Sequence, residues 1–108
     1  MKISTNNHWD PLEEIIVGIA DHARVPTVDA STMNMSYTNY DIEDVKPLEG
    51  AYPKWLIDEA NEDLQGVADT LTSLGVKVHR PKALDHSVKY STPEWETTGW
   101  YTWCPRDL

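Results

Sequence analysis

The clearest alternation of apolar and polar positions runs between Pro53 and Gly75. Ile57, Ala60, Leu64, Val67, Leu71 and Leu74 recur there at three- and four-residue spacing and predict one apolar stripe on a helix. Asp58, Glu59, Glu62, Asp63 and Asp69 fall off that stripe and are expected to face water. Pro53 suits the first turn, where its missing N–H costs nothing, and Gly75 is the expected left-handed cap, with Val76 just beyond it. Gly66 inside the helix costs about 1 kcal/mol relative to Ala, which predicts close packing at that point.

On either side of this helix the pattern changes period. Leu12 to Ala20 (LEEIIVGIA) carries a β-branched run too short for an isolated helix, and its consecutive apolar residues predict a strand covered on both faces. Val76-Lys77-Val78-His79-Arg80 alternates and is stopped by Pro81, so it reads as a second strand leaving the helix after a tight turn. Strand, helix and strand then form a βαβ-type unit with parallel pairing and a right-handed crossover. Asn6 to Pro11 is a polar turn leading into the first strand. From Asp21 to Gly50 periodicity disappears; a structureless connection of this length is either a binding loop or a surface insertion, and the residues leave both open. Lys82 to Glu96 reads as a polar loop punctuated by Pro93. A last strand is expected to begin near Trp100 and to expose Cys104 to Asp107 at its end.

Composition narrows the classes. At 108 residues the chain is one small module, residues 1–108, or part of a larger domain. A net charge of −9 argues against nucleic acid and against anionic membranes, whereas a cationic ligand such as arginine is tolerated. The same acidity also serves solubility alone. With a single cysteine no internal disulfide forms, so a reducing, cytoplasmic setting is the default. No apolar run reaches transmembrane length, and the first residues carry no hydrophobic region of a signal peptide.

The richest chemistry lies in Thr97 to Leu108 (TTGWYTWCPRDL). Asp107 is a carboxylate beside the rigid Pro105 turn and an indole-rich stretch, which suits a planar cation such as guanidinium. Arg106 and Asp107 equally make an exposed ion pair of little energetic weight. Cys104 invites a nucleophile reading with His8, His22, His79 or His86 as base, but no catalytic spacing supports it, and a free cysteine is more often a small hydrophobe. The histidines fall on separate elements without metal-ligand spacing and read as surface or loop residues. The five glycines are scattered and form no phosphate loop.

Four stretches carry a resemblance. Asn7 to Gly18 (NHWDPLEEIIVG) resembles the N-terminal signature of glycine amidinotransferases, with His8 where that family typically has Glu. Lys89 to Tyr101 (KYSTPEWETTGWY), followed by Cys104-Pro105-Arg106-Asp107, looks like the family's second signature, and Tyr52-Pro53-Lys54 and Leu74 to Pro81 match the helix boundaries between them. The resemblance spans nearly the whole chain. It implies amidino transfer from arginine to an amine, commonly glycine or an aminocyclitol, through a covalent amidino-cysteine and without cofactor. It also implies an α/β propeller of repeated ββαβ modules, shared with arginine deiminases, of which this chain corresponds to a first blade. Asp107 matches the family aspartate that lines the arginine pocket, and is the one substrate-binding residue carried over.

By the same resemblance the nucleophilic cysteine, catalytic histidine and partner aspartate lie far downstream of Pro-Arg-Asp, and Cys104 is not the nucleophile. No catalytic residue is therefore assigned, and the chain is expected to be an N-terminal portion, inactive alone, that forms a homo-oligomer or docks onto missing modules. Two other readings stay open: a stand-alone binding or regulatory module, and a small enzyme using Cys104.

Overall fold

A computed structural model describes residues 4–105, so Arg106 and Asp107 lie outside the described residues. Its frame is the expected strand, helix and parallel strand. Strand β1 (Glu14–Ile16) pairs in parallel with β4 (Lys77–His79), placing Ile15 opposite Val78, and the long helix α3 (Lys54–Ser73) precedes β4. Backbone bonds from Lys77 N to Glu13 O and from Val17 N to His79 O, both 2.9 Å, extend the pairing beyond the named strands.

The first strand is shorter than its apolar run because the chain changes partner at Gly18. Beyond Val17 it leaves β4, and Ile19 instead forms an antiparallel bridge with Thr102, with Ile19 N donating to Thr102 O at 3.2 Å. Val17, Gly18 and Ala20 are the buried residues of the run, and Leu12 is exposed, so the two-faced coverage expected over Leu12 to Ala20 is confined to its second half. The ladder expected near Trp100 is this single bridge, supplemented by Arg24 N donating to Trp100 O at 2.9 Å.

Helix α3 starts and stops for the reasons its sequence gives. Pro53, at φ −56°, precedes the first helical residue, and Lys54 pairs with Asp58 one turn on. At the other end Gly75 adopts φ +86°, while Gly75 N donates to Thr72 O at 3.0 Å and Val76 N to Leu71 O at 3.1 Å. These two bonds make a Schellman cap, which needs the left-handed residue that only Gly takes without cost. The packed face is rotated from the expected stripe. Ala68 is buried and Ile57, Ala60, Leu64 and Leu71 are half-buried, whereas Val67 and Leu74 are 50% and 73% exposed. Gly66 does not mark close packing either: a Cβ there meets nothing within 4 Å.

Residues 21–50 are not the structureless connection that their lack of periodicity suggests. They hold β2 (Arg24–Val25), α1 (Ala30–Ser36), α2 (Ile42–Val45) and a 3-10 turn (Lys46–Leu48), and β3 (Gly50–Ala51) returns antiparallel to β2. Val25, Val28 and Val45 form a small core against which Met33, Tyr37 and Tyr52 pack. Asp29 caps α1 by accepting from Thr32 N at 2.9 Å, a side-chain cap that satisfies an otherwise orphaned donor. Helices of two turns or fewer are too short for a 3.6-residue repeat to register, which is why the pattern was invisible. The polar stretch after Pro81 likewise contains a hairpin, β5 (Tyr90–Ser91) with β6 (Glu96–Thr97), closed by Thr92 N donating to Trp95 O at 2.8 Å.

Among the described residues the outcome is a mixed α/β fold with three two-stranded sheets, in which residues 17–25 bond to β4, to α3 and to the segment 98–103. Asn61 of α3 ties the helix to this central stretch: its Oδ1 accepts from Ala20 N at 2.8 Å, and its Nδ2 donates to Asp21 at 2.7 Å. Among the described residues no helix is long and apolar enough to cross a membrane.

Candidate functional site

The segment leading to Pro105 displays a run of aromatic rings. Tyr101 and Trp103, two residues apart and so on one side of an extended chain, stack at 4.4 Å between centroids and 21° between planes. Tyr52 continues the stack from the start of α3, its ring 5.9 Å from Trp103 at 25°. Trp100 meets Tyr101 edge-on at 5.2 Å. Tyr52 is set by its backbone, whose N–H donates to Ala23 O at 3.2 Å, so the wall joins rings from two parts of the chain, one of them held by a third. The π-faces of such rings carry negative potential and favour a flat cation.

What brings the segment so close is Gly18. A Cβ at that position lies 2.2 Å from Trp103 O and 2.4 Å from Thr102 O, so only glycine lets the two backbones meet. Arg80, at the end of β4, reinforces the junction by donating from Nη2 to Gly18 O at 3.0 Å.

The alternate side chain, Thr102, points the other way and is 2% exposed. Its hydroxyl shares a 2.9 Å hydrogen bond with Nε2 of His86, which is itself 8% exposed. Gly99 N donates to His86 O at 2.9 Å, and the imidazole lies so near that a Cβ on Gly99 falls 2.8 Å from Nδ1. Burial pushes the His86 pKa below its ordinary value, and His22 adds to the depression while Asp85 opposes it. Asp85 in turn is held below the usual carboxylate range chiefly by the hydroxyl and N–H of Ser87.

Of the residues singled out by chemistry, the structure separates most. Cys104 is exposed, His8 is exposed, and His79 sits across the β1–β4 sheet with Nε2 2.6 Å from Glu14. That bond is the first cause of the lowered Glu14 pKa, with the Lys77 charge helping. His86, read from sequence as an ordinary loop histidine, is instead a buried anchor; its loop position hid it, and Gly99 was the one hint of a close approach. Among the described residues no group of three His, Cys, Asp or Glu side chains converges to hold a metal ion.

No family profile matches the chain. Individual relatives do. The inosamine-phosphate amidinotransferase 1 of Streptomyces griseus is 48% identical over 106 residues, covering 97% of this chain and 30% of the enzyme. The mitochondrial glycine amidinotransferase of Xenopus tropicalis is 37% identical over 98% of this chain and 25% of its own length. The chain thus spans under a third of the length of these relatives. Among solved structures, the Streptomyces griseus inosamine-phosphate amidinotransferase superposes with a TM-score of 0.87 at 47% identity, over 96% of this chain and 30% of that one. An amidinotransferase of the saxitoxin biosynthetic pathway from Microseira wollei gives 0.73 at 30% identity, over 91% of this chain and 29% of that one. In sequence and in fold alike, this chain belongs to the amidinotransferase family, as an N-terminal portion of it.

Proposed function

We propose that these residues form the arginine-facing part of an enzyme that moves the amidino group of arginine onto an amine. The observation that carries this reading is the 48% identity to an inosamine-phosphate amidinotransferase across 97% of the chain. In this reading the β1–α3–β4 unit is one blade of an α/β propeller, and residues 1–108 make a single module of it. Asp107 grips the guanidinium through paired, charge-assisted hydrogen bonds, and the Tyr101–Trp103–Tyr52 wall offers it a flat face. Identity to the inosamine-phosphate enzymes, 48% and 46%, exceeds the 37% to the Xenopus glycine enzymes, which favours a phosphorylated aminocyclitol over glycine as the amine.

Chemistry through a thiolate also needs a cysteine next to a base. Exposed Cys104 does not have His79 or His86 at its disposal, since each is engaged elsewhere. The chain by itself therefore binds arginine without turning it over, and its two-stranded sheets, open at their edges, associate with a second copy or with further modules.

Calorimetric titration with arginine and with citrulline, whose ureido group is neutral, tests the binding step. Arginine is expected to bind and citrulline not, and Asp107→Asn is expected to weaken arginine about tenfold or more. Equal binding of both ligands, or an indifferent Asp107→Asn, overturns the site. Guanidino-labelled arginine incubated with inosamine phosphate or glycine tests the inactivity; labelled product that disappears in Cys104→Ser shows a self-sufficient enzyme instead. Light scattering that finds a monomer at micromolar concentration removes the association.

A further inference from the structure

We propose that His86 is a positioning residue for the aromatic wall, acting through Thr102 and Gly99 to hold Tyr101 and Trp103 in the stacked arrangement that receives the guanidinium. The inference rests on the arginine reading above for its ligand, and on the local geometry for the clamp itself.

Three contacts converge on His86, two through its side chain and one through its backbone carbonyl. Nε2 shares the 2.9 Å bond with the Thr102 hydroxyl, the His86 carbonyl takes the Gly99 N–H at 2.9 Å, and the ring fills the space that any side chain on residue 99 would need. Thr102 lies between Tyr101 and Trp103, so its buried hydroxyl fixes the rotation of the extended backbone about its own axis. In an extended segment that rotation decides which way both flanking rings point. On the wall side, among the described residues, the rings contact one another, Tyr52 and Trp100. Among the described residues the segment's other anchors are the bridge to Ile19, the bond from Arg24 N to Trp100 O and the bond from Thr27 N to the Thr98 hydroxyl, and none of these involves a side chain between Tyr101 and Trp103.

The groups whose charge acts on His86 are His22, in the turn after residue 20, and Asp85, its chain neighbour, which is itself influenced by Arg24. Burial, with the nearby His22 adding to it, opposes a proton on His86, so the clamp works in its neutral form. Protonation places a charge in a largely buried site, which disfavours the packed position of the ring against Thr102 and Gly99.

The test is arginine affinity measured from pH 5 to pH 7.5, alongside the near-ultraviolet circular dichroism of the stacked rings, for the 108-residue chain and three variants. His86→Gln keeps a donor and acceptor near the Nε2 position without titrating; His86→Ala and Thr102→Val remove the bond from either end. The expected result is a loss of arginine affinity of about five- to tenfold in His86→Ala and Thr102→Val, with a diminished aromatic band. In His86→Gln affinity at neutral pH is largely retained and the fall at acid pH is lost. If His86→Ala does not fold, Thr102→Val and His86→Gln carry the comparison. Unchanged affinity and aromatic band in Thr102→Val, or an acid response in His86→Gln equal to that of the unmodified chain, overturns the clamp. Should the unmodified chain not bind arginine while its aromatic band depends on pH through His86, the arginine reading fails and the clamp stands.

Discussion

Gly18→Ala is the substitution most able to expose an error in this account. The added methyl falls 2.2 Å from Trp103 O and 2.4 Å from both Thr102 O and Trp103 C, well inside contact distance and against backbone that cannot swing away. Forcing atoms into so tight a junction costs about 1–3 kcal/mol. Relief by separating the two segments sacrifices the Ile19 N to Thr102 O bond and disturbs the Arg80 bond to Gly18 O, each worth about 0.5–1.5 kcal/mol. The lower entropy of the unfolded chain with Ala returns about 0.4–1 kcal/mol. The net loss is about 2–4 kcal/mol, a large part of the roughly 5–15 kcal/mol that holds a typical domain folded. In urea unfolding followed by tryptophan fluorescence, the midpoint should fall with the slope unchanged, and the melting temperature should drop by roughly 10–20 °C. Because Trp103 sits at the junction, the wall should lose its stacking even in molecules that remain folded. A Gly18→Ala chain as stable as the original, with its aromatic band intact, refutes the close approach of residues 18 and 103.

The other expectations follow from equally local geometry. Gly66→Ala, on the exposed side of α3 with open space around it, should raise stability by about 0.5–1 kcal/mol, read from the same urea curves; a loss there means that the helix face is covered. Asn61→Ala strands the N–H of fully buried Ala20 and should cost about 1–3 kcal/mol, whereas Asn61→Asp, which keeps the acceptor but sets a charge beside Asp21, should cost less at pH 5 than at pH 7.5. For His86 the folded pKa lies below the ordinary 6.5, so the unfolded chain takes up the proton first. Stability should therefore be level above about pH 7 and decline as pH falls through 6.5, and His86→Gln should flatten that decline; an unaltered slope between pH 7 and 5.5 contradicts the burial of the ring. Glu14 and Asp85, both depressed below their ordinary 4.5 and 3.8, add a separate loss only at more acid pH.

How much of this could be read from the residues depended on how local its cause was. The start of α3 at Pro53, its Gly75 cap and the turn into β4 are decided within a few residues, and they were legible. The parallel partnership of β1 and β4 followed from two apolar runs flanking a helix. The rotation of the packed face of α3 was not legible, because whether Val67 or Ala68 is covered depends on what lies against the helix. Between Asp21 and Gly50 the elements are short and stabilised by single contacts such as the Asp29 cap and the Glu49 acceptor for Val28 N, which leave no periodic trace. The site divided in the same way. The aromatic richness of the last stretch was plain, but the burial of His86 and the reason for Gly18 both arise from segments far away in sequence.

The return of residues 98–103 onto residues 17–25 also dictates an order of events during synthesis. Ile19 waits for Thr102, and Arg24 for Trp100, so the junction closes only once residue 102 has emerged. Contacts between residues far apart in sequence form slowly, since a long loop must be closed before they repay its entropy. A ribosome-bound or partly folded chain can thus build α3 and its cap early and still present no stacked rings, which makes the wall a late marker of maturation.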